Sequence, residues 1–159
     1  MSQQDESRET QGLTIENAPN EDDVRFVEER IIAYNVAATG YDDYRPLAIF
    51  VRDSEGAIIA GLAGFTWGST LKIELLWVHE TLRGQGYASR LVEAAEREAV
   101  ARGCRHAVLD THDFQAPNFY PKLGYVRCGL AEDWPLGHQE IYFHKRLSDP
   151  HIPTEPSLA

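Results

Sequence analysis

The sequence predicts an α/β protein of the layered α+β kind, a mixed sheet flanked by helices. Three observations carry this. The elements read in the order strand, helix, strand, strand, strand, helix, strand, helix, strand, strand. A chain of 159 residues fits one domain with a real core. Near the middle, Leu75 to Ala88 runs as an apolar strand, a short turn, a glycine-rich loop and the start of an amphipathic helix.

Taken in order, residues 1–12 are charged and Gln/Ser-rich, and are expected to be a disordered leader. Residues 13–18 fit a first strand. Asn20 is an N-cap candidate, and Glu21, Asp22 and Asp23 suit a first helical turn. Val24, Val27, Ile31, Tyr34 and Ala38 then recur at helical spacing until Gly40 stops the helix. After a loop at 41–46, residues 47–52 and 57–66 are strands joined by the turn Asp53-Ser54-Glu55-Gly56. Residues 71–78 form the next strand. A helix over 86–101 places Ala88, Leu91, Val92, Ala95 and Ala99 on one face, with Glu93 and Arg97 paired on the other. Gly103 closes it. A strand at 105–110, a short helix at 117–123 and strands at 125–128 and 140–146 complete a domain spanning 13–148. Pro150, Pro153 and Pro156 mark a disordered tail over 149–159.

The formal net charge of −10 disfavours nucleic acid and anionic membranes as partners. It suits a cationic substrate such as an amine, and equally serves solubility alone. No apolar run is long enough to cross a membrane, and the polar N-terminus is unlike a signal peptide, so a cytoplasmic location is expected. Cys104 and Cys128 show no metal-type spacing and read as buried free thiols. The histidines His79, His106, His112, His138, His144 and His151 are scattered, and no metal is expected.

The glycine loop is the feature most indicative of chemistry. Glycines let the backbone approach a ligand, and the unpaired N–H groups and dipole of a helix start favour a phosphate or pyrophosphate. Tyr87-Ala88 after the second glycine excludes a P-loop, which needs Lys-Ser/Thr there. The missing third glycine excludes the dinucleotide fingerprint. In the preceding strand, strict alternation turns Leu71, Ile73, Leu75 and Trp77 to one face and Lys72, Glu74, Leu76 and Val78 to the other. A mid-strand carboxylate needs a reason. Glu74 is either a general base whose partial burial raises its pKa, or half of an ion pair with Lys72 or a cross-strand base.

Arg83-Gly84-Gln85-Gly86-Tyr87-Ala88 resembles the acetyl-CoA pyrophosphate loop of the GNAT superfamily of N-acetyltransferases. A second run, Phe114-Gln115-Ala116-Pro117-Asn118-Phe119-Tyr120-Pro121-Lys122-Leu123-Gly124-Tyr125, is similar to that family's Asn/Ala-x-x-x-Phe-Tyr-x-x-x-Gly-Phe/Tyr signature. Pro121, directly after the tyrosine, departs from it and distorts a short helix.

The resemblance implies a mostly antiparallel sheet that splays after Val78, with acetyl-CoA as co-substrate in the splay. Backbone groups of Trp77 and Val78 would pair with the pantetheine amides, and Val78 N–H would polarise the thioester carbonyl. Residues 83–88, with the Ser89 hydroxyl, would hold the pyrophosphate. Asn118 would touch the CoA arm. Lys122 either meets a phosphate or is solvated. Tyr120 would protonate the departing thiolate, a match in basicity for a phenol of pKa about 10. The implied reaction is acetyl transfer to a primary amine of a small molecule by direct attack. A peptide acceptor and a non-catalytic CoA-binding module are the alternatives, and a homodimer is left open. His79 either lines the thioester pocket or is a polar loop residue. Acceptor identity is expected to reside in residues 31–45 and 130–139, where Tyr41, Tyr44 and Trp134 either wall a pocket or pack.

Overall fold

The computed structural model describes residues 12–147. The expected tail lies outside the described residues, as does the expected leader apart from Gly12. The chain divides into two units, 1–40 and 41–159.

In the first unit, α1 spans Glu21–Thr39. The Asn20 side chain accepts from Asp22 N–H at 2.9 Å, and three acidic residues sit against the positive end of the helix. Gly40 ends it in the left-handed region at φ 75°, its N–H donating to Val36 O at 2.8 Å. The strand expected at 13–18 does not form. Leu13 makes a single bridge, and the chain bends at Asn17 and Ala18 before Pro19. Asn and Pro both disfavour a ladder there.

The second unit holds one six-stranded sheet in the order β1-β2-β3-β4-β6-β5. Its strands are β1 (Arg45–Arg52), β2 (Ile58–Trp67), β3 (Thr70–Val78), β4 (His106–His112), β5 (Val126–Glu132) and β6 (Gln139–Arg146). Every neighbouring pair is antiparallel except β3 with β4, which is parallel. The crossover between those two carries α2 (Tyr87–Ala101), which packs on β1, β2 and β3. Leu91, Val92, Ala95 and Ala99 of α2 are buried against Leu62, Leu71, Ile73 and Leu109. The i,i+4 pair that the helix forms is Glu98–Arg102, at 2.7 Å, and not Glu93–Arg97. Both cysteines are free, and Cys104 is buried as expected. Cys128, on β5 at the sheet margin, is exposed.

One irregularity governs the site. Between β2 and β3 the register steps from Ala63↔Leu75 to Gly64↔Ile73, leaving Glu74 as an extra residue with no opposite number. This β-bulge reverses the expected alternation. Before it, Leu71 and Ile73 face the core. Beyond it, Leu76 and Val78 pack on the core, and Leu75 and Trp77 are exposed. Gly64 makes the bulge feasible, because a Cβ there would collide with the Lys72 carbonyl oxygen.

Candidate active site

The parallel pairing of β3 with β4 ends at Ile73↔Leu109. The sheet therefore opens after Ile73 rather than after Val78, and the bulge sits at the crotch of the fork. Glu74 and Asp110 are the first residues past the last pair on their respective strands. Parallel strands end on the same side, where α/β sheets place their ligands. A cavity of about 890 Å³ fills the fork. Its wall includes Glu74, Trp77 and Val78 from β3, Asp110 and Thr111 from β4, and the start of α2.

The connection from β3 to α2 is built to present backbone donors. After Val78 the chain makes a 3-10 turn, Glu80–Leu82. His79 caps this turn, its Nδ1 accepting from Thr81 N–H at 3.3 Å, and it is not part of the cavity wall. Arg83 Nε donates to Val78 O at 3.3 Å, tying the loop to the strand end. Gly84 and Gly86 then adopt φ 74° and 80°, a region that L side chains rarely enter. The first intrahelical bond reaching back to the loop is Arg90 N–H to Gly86 O at 3.1 Å. Gly86 is the N-cap without a side-chain cap, so the N–H groups of Tyr87, Ala88 and Ser89 are left for a ligand.

Arg83, Gly84, Gly86, Tyr87, Ala88, Ser89, Tyr120 and Lys122 all reach the cavity. Two residues of the expected CoA-binding set do not. Gln85 turns away, its Nε2 donating to Thr81 O at 3.1 Å. Asn118 is exposed on the turn before the second 3-10 helix, outside the cavity wall. That helix spans only Tyr120–Leu123, shorter than the expected 117–123. Pro121 has no N–H to bond backwards, so the segment tightens to 3-10 geometry and begins late.

Tyr120 is 8% exposed. Phe119, Phe143 and Tyr125 surround its ring at 5.1, 5.8 and 6.0 Å between centroids. Burial, and then the charge of Asp110, pushes the phenol above its usual range. Glu74 is exposed on the cavity side and does not pair with Lys72. Lys72 Nζ is instead bound to Asp110, across the strands that diverge. Among the described residues, no three His, Cys, Asp or Glu side chains are grouped to hold a metal.

Sequence reasoning missed Asp110, Thr111, Phe114 and Gln115 as wall residues. The available signal was topological: a parallel partner for β3 must bring its own carboxyl end to the ligand. Trp134 is exposed on the β5–β6 loop, and Tyr44 packs on Phe65 at 5.1 Å. Neither they nor Tyr41 belong to the cavity wall.

This fork beside a glycine-capped helix start has counterparts in known proteins. The acetyltransferase (GNAT) family model matches residues 13–125. The chain belongs to the GNAT acetyltransferase family. Acetyltransferase Atu2258 of Agrobacterium fabrum is 35% identical over 123 residues, covering 77% of this chain and 90% of that protein. Blasticidin-S acetyltransferase of Streptomyces morookaense is 37% identical over 97 residues, covering 58% and 71%. The crystal structure of an acetyltransferase from Bacillus cereus superposes with a TM-score of 0.75 at 35% identity, covering 85% of this chain and 98% of that one. As a GNAT member the chain has the expected fold class, a mixed and mostly antiparallel sheet that opens at one end.

Proposed function

We propose that this acetyltransferase moves an acetyl group from acetyl-CoA to a primary amine of a small molecule by direct attack. One observation carries the reading. The unpaired N–H groups at the start of α2, the open edge of β3 and the Tyr120 phenol all converge on a single cavity. The helix start suits the pyrophosphate, with Arg83 and Lys122 supplying positive charge against an acidic background. The β3 edge past the bulge suits the amides of the pantetheine arm, whose carbonyl and N–H groups need partners.

In the proposed step the amine nitrogen attacks the thioester carbonyl carbon. The C–S bond breaks, and the thiolate takes the Tyr120 hydroxyl proton. Glu74, on the cavity wall, accepts the proton that the ammonium must lose, and the second proton shed by the nitrogen as it becomes an amide restores the Tyr120 phenol. Holding the amine beside the thioester supplies much of the acceleration. A relative named for blasticidin-S, a small-molecule antibiotic, supports a small acceptor over a peptide. Thiol release from acetyl-CoA with a panel of small amines, amino acids and peptides tests the reading. Turnover with small amines is expected. Bound CoA with no release across the panel would replace the enzyme by a non-catalytic CoA-binding module.

A further inference from the structure

Outside the cavity wall, three ionisable side chains from separate elements meet: Glu96 of α2, Lys145 of β6 and Tyr125, which precedes β5. Lys145 Nζ donates to both Glu96 carboxylate oxygens, at 2.9 and 2.7 Å. Only 23% of the Lys145 side chain and 13% of the Glu96 side chain are exposed. Stability alone does not call for such a pair, because well-packed apolar residues of similar size serve it as well. The ammonium group has a second contact. It lies over the Tyr125 ring, 5.4 Å from the centroid.

Tyr125 in turn holds Tyr120 by two contacts. Its N–H donates to Tyr120 O at 3.2 Å, and the two rings meet edge to face at 6.0 Å between centroids. The Tyr125 hydroxyl has no hydrogen-bond partner among the described residues, so the ring and the backbone make the connection. One face of β6 serves both tyrosines: Phe143 packs on Tyr120 at 5.8 Å, and Lys145, two residues on, covers Tyr125. Tyr120 itself sits on a four-residue 3-10 turn with Pro121, which has few bonds of its own to fix a side chain. The series Glu96, Lys145, Tyr125 therefore joins the phenol that reaches the cavity to the helix whose start is open to an anion. Glu96 lies about two turns along that helix from Ser89.

We infer that Tyr125, braced by the Glu96–Lys145 pair, is a positioning residue that aims the Tyr120 hydroxyl into the cavity. The inference rests on the reading of Tyr120 as the acid. A proton donor that drifts by a fraction of a bond length loses much of its effect, so a rigid backing has catalytic value without touching any ligand.

Steady-state kinetics with thiol detection and calorimetry with acetyl-CoA, on variants made with and without Tyr120→Phe, test this. Tyr125→Leu removes the ring. The double variant Glu96→Gln, Lys145→Met removes the brace and leaves no buried charge alone, so its fold should survive. Both are expected to lower kcat by about five- to a hundredfold with acetyl-CoA affinity unchanged. Tyr125→Phe, which keeps the ring, should recover most of what Tyr125→Leu loses. In the Tyr120→Phe background the same changes should cost nothing further, because the group they position is gone. A kcat within about twofold of the parent in the double variant overturns the inference, as does an equal loss with and without the Tyr120 hydroxyl, or a loss of acetyl-CoA affinity that matches the loss of kcat. Parent-like turnover in Tyr120→Phe alone overturns the reading of Tyr120 as the acid, an outcome distinct from a failure of Tyr125 and its brace.

Discussion

Replacing Tyr120 by Phe removes one hydroxyl from a ring that three aromatic neighbours hold in place. The packing survives, so the stability change is expected to stay within about 1 kcal/mol. Turnover is another matter. Without the acid, the thiolate departs unprotonated, and kcat should fall by roughly ten- to a thousandfold, or about 1.4–4 kcal/mol of barrier. Acetyl-CoA affinity should hardly move, since the hydroxyl acts after binding. The raised phenol pKa fixes the pH behaviour. Burial, and then Asp110, push the Tyr120 phenol above its ordinary ionisation range. The defect should therefore be uniform between about pH 6 and 9, with no basic limb from Tyr120 in the parent enzyme. Steady-state kinetics with thiol detection across that range measures it. A kcat within about twofold of the parent, or a loss confined to KM, would refute the argument and return Tyr120 to a packing role.

Three further outcomes are expected. Gly86→Val should abolish most acetyl-CoA binding in calorimetry while costing only about 1–2 kcal/mol of stability. A Cβ there meets no protein atom within 4 Å, so the cost is backbone strain, and the side chain intrudes where an anion approaches. Glu74→Gln should lower kcat at least about tenfold with melting temperature unchanged, since no ion pair with Lys72 is lost; a kcat within about twofold of the parent would exclude Glu74 as base. Tyr125 is 3% exposed, and its hydroxyl has no hydrogen-bond partner among the described residues. Burial and then Glu96 push its pKa up, although Glu96 closes no hydrogen bond to it in the geometry. Stability should hold below about pH 10, where the unfolded phenol starts to ionise, and fall as pH rises beyond it. In thermal melts, Tyr125→Phe should lessen that alkaline loss and raise the neutral-pH melting temperature by about 1–5 °C.

Local chemistry made much of this legible in advance. Asn20 and Gly40 bound α1 as a cap and a stop must, and Asp53 folds the β1–β2 turn by accepting from Glu55 and Ala57 N–H at 2.9 Å each. The apolar face of α2 is buried where its spacing put it. Gly84 and Gly86 take the positive φ that their place before a helix suggested. The illegible part was relational. Nothing in residues 71–78 announces the bulge, because its cause is the contact between Gly64 and the Lys72 carbonyl on another strand. The Lys72 partner was likewise on a strand met only after the crossover, so proximity in sequence suggested Glu74 in place of Asp110. Gln115 escaped notice as a wall residue because its side chain is anchored by the Thr111 hydroxyl and by the His112 N–H, a backbone group free only where the sheet divides.

The extra residue in β3 has a consequence for how this protein can vary. In an unbroken strand, every side chain is bound to a parity: what suits the interior at one position fixes which positions must suit it thereafter. Glu74 shifts that parity within the strand. Leu71 and Ile73 answer to the core, whereas Leu75 and Trp77, turned to the opposite face, are exposed and line the cavity. Substitutions at Leu75 and Trp77 are thereby released from the demands of the core. A lineage can rework the lip of its cleft without disturbing the element that supports it, as long as a glycine stays at position 64.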